Sequence, residues 1–142
     1  MIEIRAFFRS TAGGVEFRKI YNGTLQKTGK ETVVNYCEED DNGVTQTEIR
    51  IVGDDFVTIN RTGVFSNYLE FCKNYSFVGE YLTPYGKIPV EAYTKSLTVE
   101  FEDECPTVSA KYSSSLMGEK TENEFFLVVK KKSIKPPKKG DL

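Results

Sequence analysis

A chain of 142 residues with 39% hydrophobic and 28% charged residues has the balance of one soluble globular domain, long enough to bury a core. Its net charge of −2 is unevenly placed: from Lys130 onward six lysines stand against Asp141, or +5, so residues 1–129 carry 13 − 20 = −7. An acidic body suits nucleic acid poorly, because that binding draws on phosphate neutralisation, and the absence of histidine removes imidazole bases, Ser-His and Cys-His pairs and Cys/His zinc sites.

Along the chain, apolar residues recur with period two. "IEIRAF" sets Ile2, Ile4 and Ala6 against Glu3 and Arg5, and lacks the basic and then apolar regions of a signal peptide, so a strand is expected there. "TAGG" reads as a turn, and "VEFRKIY" alternates Val15, Phe17 and Lys19 against Glu16, Arg18 and Ile20. A break near "KTGK" leads to "ETVVNYCEE", and the corner "DDNG" predicts a type I′ hairpin turn at Asn42-Gly43. Strands are then expected in "VTQTEIRIV", "FVTINRTG", "NYLEFCK" and "SFVGEYL", although Phe65, Tyr68, Leu69 and Cys72 also fit a short helical turn. In "TPYGK", Pro84 pre-sets a corner and Gly86 is free to take the positive φ of a type II turn. "KIPVEAYTKSLTVEFE", "TVSAKYSSSL" and "EFFLVVKKK" complete nine or ten strands at spacings of roughly 8–14 residues.

Short hairpins in series favour an up-and-down meander, and a meander of this size hides its edges most economically by closing. The expectation is an all-β, single antiparallel barrel of about 8–10 strands over residues 1–132, with a Lys/Pro-rich and disordered tail over 133–142. No apolar run is long enough to cross a bilayer as a helix, and three cysteines without a CxxC pair, Cys37, Cys72 and Cys105, fit reduced packing residues of a cytoplasmic protein.

"YCEED", "TEIRIVGDDFVTINRTG", "LEF" and "YLTPYGKIPVEAYTKSL" resemble, in order, the YwiB-like family of small bacterial proteins of unknown function, over about residues 2–131. The resemblance implies a calycin-type barrel. Lipocalins and fatty-acid-binding proteins, which share that architecture, hold small apolar ligands inside. The chain has no tryptophan, so the Gly-x-Trp motif of lipocalins is absent, and fold analogy alone does not transfer function.

Chemistry is sparse. The acidic run Glu38, Glu39, Asp40 and Asp41 reads as a charged hairpin corner, and "TAGG" and "NRTG" lack the spacing and lysine of a phosphate loop. The chain therefore reads as non-enzymatic, with no cofactor or metal indicated. Arg61 shares parity with Val57 and Ile59, which points it inward and demands a partner; Glu38, Glu80 and Glu91 are the candidates. Either it closes the barrel end structurally, or it receives an anionic head group. In the second case Tyr36, Tyr81, Tyr85, Tyr93 and Tyr112 supply walls with apolar bodies and polar tips. The leading functional expectation is a non-enzymatic binder of a small, partly apolar, anionic ligand. The alternative is a protein-interaction or oligomerisation module with a filled core, self-associating through sheet edges; nucleic acid and membrane are not expected partners.

Overall fold

The computed structural model describes residues 2–11 and 16–131, apart from the Phe17 side chain. Ten strands follow one another: β1 (Ile2–Ser10), β2 (Glu16–Thr28), β3 (Glu31–Asp40), β4 (Gly43–Val52), β5 (Phe56–Thr62), β6 (Ser66–Phe71), β7 (Ser76–Thr83), β8 (Gly86–Glu102), β9 (Cys105–Leu116) and β10 (Glu119–Lys131). Each pairs antiparallel with its sequence neighbours, and β10 pairs with β1 from Ile2↔Lys131 to Ser10↔Asn123, closing the barrel. This is the up-and-down barrel expected from the spacing. Among the described residues there is no helix, so none is long and apolar enough to cross a membrane. The expected tail, residues 133–142, lies outside the described residues, as do most of "TAGG" and Val15.

Alternation drives the closure. Even positions of β1 and β3 and odd positions of β4, β5 and β10 point inward, so that Ile4, Val34, Ile49, Val57 and Leu127 are almost wholly removed from water. Because neighbouring strands run in opposite directions, one end gathers the reversals at 29–30, 53–55, 72–75 and 103–104. That end is solid: Ile2, Ile51, Val57, Phe71, Val108 and Val129 fill it. The other end carries the reversals at 41–42, 63–65, 84–85 and 117–118, and there the inward positions turn polar.

Two turn expectations give way, while the strand expected in "NYLEFCK" forms as β6 over residues 66–71: Leu69 and Phe71 bury on alternate positions against the core while Tyr68 faces out, which excludes the helical-turn alternative. The turn after β3 is not type I′: neither Asp41 nor Asn42 has positive φ, and the left-handed residue is Gly43, φ 122°, one step later. There Asp40 Oδ1 accepts the Asn42 N–H at 2.8 Å, an Asx turn that does the work. The Pro84-Tyr85 corner behaves alike, with Gly86 at φ 131° following the turn and Tyr85 not left-handed, so it is not type II.

Two ladders are incomplete. β2 leaves β3 above Gly23↔Tyr36, so the upper half of each pairs on one side only. β6 and β7 share only Ser66↔Leu82 and Asn67↔Tyr81. The first gap opens at the polar end, and the second lies below it, toward the reversal at 72–75.

Candidate functional site

The register of three strands assembles the centre of the site. Tyr36 lies opposite Thr47, and Thr47 opposite Arg61, so the three side chains form one inward row across β3, β4 and β5. One inward step further along β3 stands Glu38. Its carboxylate receives a bond from Arg61 Nη2 and one from Thr47 Oγ1 at 3.4 Å. Glu38 is thus the partner that an inward Arg61 needs; its side chain is 15% exposed and that of Arg61 38%. Burial works against the guanidinium charge, but the bond and charge of Glu38 outweigh it, and Arg61 stays protonated with its pKa raised.

Two tyrosines cap this pair where β2 and β3 part. Tyr21 and Tyr36 stack at 4.6 Å between ring centres. Burial, then the negative charge and hydrogen bond of Glu38, pushes the Tyr21 hydroxyl up to about 12. Tyr36 is raised in the same direction, by burial first and Glu38 second. Tyr112 on β9 is 8% exposed, and burial pushes its hydroxyl up to about 12 while the charge of Arg61 pulls the other way.

Arg61 and Glu38 sit between two cavities. Inside lies a cavity of about 210 Å³ with an apolar lining that includes Phe8, Ile49, Ile59, Leu69, Phe125 and Leu127. At the mouth lies a polar one of about 340 Å³ edged by Asp40, Asn42, Thr45, Asn67 and Tyr81. Arg61, Glu38 and Asn67 line both. A molecule spanning the two would put its apolar part inward and its polar part against the arginine.

The structure separates the residues expected to share this place. Arg61, Tyr36 and Tyr112 line the inner cavity, and Tyr81 lines the mouth, stacked on Phe65 at 6.3 Å. Tyr85 is 96% exposed at its turn tip and lines neither cavity. Tyr93 faces out and donates to Asn74 Oδ1 at 3.3 Å. The reason is a bulge: the β8–β9 register shifts between Thr94 and Ser96, so Leu97 and Val99 point in while Tyr93 and Glu91, of the same parity, point out. Glu91 is accordingly exposed on the outer surface, and Glu80 faces Lys87 there, 3.8 Å away, so neither meets Arg61. Sequence reasoning missed Tyr21, Thr47, Asn67 and Asp40. Asn67 shares parity with Leu69 and Phe71, and Asp40 with Glu38, so alternation carried the signal; Tyr21 is found only through the register Ile4↔Tyr21.

A family model described as a domain of unknown function, DUF1934, matches residues 2–126. The chain belongs to that family. Among solved structures, the crystal structure of the ywiB protein from Bacillus subtilis is similar, with a TM-score of 0.79 and 19% identity over 93% of this chain and 92% of that one. At that identity the likeness carries the fold, in agreement with the YwiB-like resemblance of the sequence, and membership of DUF1934 carries no assigned activity. No curated protein matches the chain.

Proposed function

We propose that the chain is a non-catalytic binder of a small, partly apolar, anionic molecule. Its apolar body occupies the inner cavity and its anionic group reaches Arg61. The observation that carries this reading is the position of Arg61, on the boundary between an apolar cavity of about 210 Å³ and the polar mouth. An arginine needed only to seal the barrel would have packed side chains behind it. By volume the inner cavity equals about seven waters, which suits a short-chain or aromatic acid rather than a long-chain fatty acid.

The test is native mass spectrometry of protein purified from its own host, joined to calorimetric titration with 3-phenylpropionate and octanoate. A co-purifying small acid, with binding that Arg61→Leu abolishes while the melting curve stays cooperative, is the expected result. A chain that carries nothing and binds neither acid overturns the reading.

A second reading, self-association, draws support from Ile20 and Phe126, 61% and 41% exposed beside Phe7 on the outer face of β1, β2 and β10. Closure of the barrel leaves only short unpaired edges among the described residues, on the upper halves of β2 and β3 and the lower parts of β6 and β7, so this reading places the contact on the face. Light scattering across concentration decides it: a strict monomer ends this reading.

A further inference from the structure

The charges around Arg61 do not suit a simple anion. Asp40 follows Glu38 on the inward side of β3, and the polar ring of the mouth therefore holds one guanidinium and two carboxylates, +1 − 2 = −1. A carboxylate or phosphate arriving alone would be drawn to Arg61 and repelled by the rest of the ring. A dianion would fare worst. An anionic group accompanied by an ammonium group would satisfy both signs.

The donors and acceptors are placed for such a head. Of the Arg61 fork only Nη2 is engaged with Glu38 among the described residues, which leaves the remaining N–H groups for a carboxylate. Asp40 accepts the Asn42 N–H on Oδ1 at 2.8 Å and stands exposed at the mouth. Tyr36, stacked on Tyr21, lines the inner cavity next to Glu38 and Arg61. Behind this ring the inner cavity is apolar and about seven water volumes in size, the scale of one aliphatic or aromatic side chain.

From this arrangement we infer that the ligand is a zwitterion: an α-amino-acid head on a single apolar body, its carboxylate on Arg61 and its ammonium between Asp40 and Glu38. The inference rests on the binding site proposed above: it keeps an anionic group on Arg61 and adds a cationic group to the same ligand. It also accounts for the acidic "EEDD" corner, which a site for a plain anion would have to overcome.

Matched ligands separate the two claims. The full chain is titrated by calorimetry with phenylalanine, 3-phenylpropionate and 2-phenylethylamine, and with the corresponding set built on leucine. The expected order is amino acid first, about tenfold tighter than the acid, as one added charge-assisted hydrogen bond would give, with the amine weaker than either. Asp40→Asn is expected to shrink the margin of the amino acid over the acid, and because Asp40 is exposed, a melting curve showing an intact fold makes that result readable. An acid that binds as tightly as its amino acid overturns the zwitterion and leaves the anion site standing. If no member of either set binds, or if the amines bind best, both fail together.

Discussion

Gly23 offers the sharpest check on how closely β2 and β3 approach beneath the site. A Cβ built there would lie 2.2 Å from the Asn35 carbonyl oxygen, 2.7 Å from Ile4 Cδ1 and 3.1 Å from Tyr36 Cβ. The Ile4 methyl can rotate away, but a backbone oxygen cannot. An ordinary carbon–oxygen contact needs about 3.3 Å, so Gly23→Ala must drive the strands apart by about 1 Å. Gly23↔Tyr36 is the last rung before the two strands separate, and the rung is lost with the movement. Overpacking costs about 1–3 kcal/mol and the hydrogen bonding about 1 more, against about 0.5 kcal/mol returned by restricting the unfolded chain. The net is about 1.5–3.5 kcal/mol, or roughly 5–12 °C in Tm for a domain of this size. Thermal melting by circular dichroism, with urea unfolding to confirm an unchanged slope, measures it. A Gly23→Ala protein melting within about 2 °C of the parent would refute the close approach.

Two further outcomes are expected. Thr94 is fully buried, and its Oγ1 has no hydrogen-bond partner among the described residues, so Thr94→Val removes an uncompensated hydroxyl at constant shape. The urea midpoint should rise by the equivalent of about 1 kcal/mol, and a fall would mean that the hydroxyl has a partner. In the folded chain the Tyr112 hydroxyl is pushed from 10 up to about 12, so the unfolded chain releases this proton first. Its contribution is complete below pH 10 and disappears as pH climbs toward 12, about 3 kcal/mol for this residue alone. Melts followed by tyrosinate absorbance should show ionisation arriving with unfolding, and eight tyrosines that all titrate near pH 10 in a folded chain would contradict the burial.

The amino-acid sequence by itself determined everything that depends on the side chain two residues away. The inward sets of β1, β3, β4, β5 and β10 and the inward aim of Arg61 follow from alternation, since a strand one register out would place Ile49 and Ile51 in water, and the meander order follows from the short connections. Tertiary structure alone decided what depends on register between strands. The bulge at Thr94–Ser96 is one additional residue; it leaves no mark in composition, yet it turns Tyr93 and Glu91 away from the interior. Selection of Glu38 over Glu80 and Glu91, the stacking of Tyr21 on Tyr36, and the two cavities meeting at Arg61 are likewise contacts between distant segments. Alternation tells a side chain which face to take, but only the paired strands settle which neighbour it meets there.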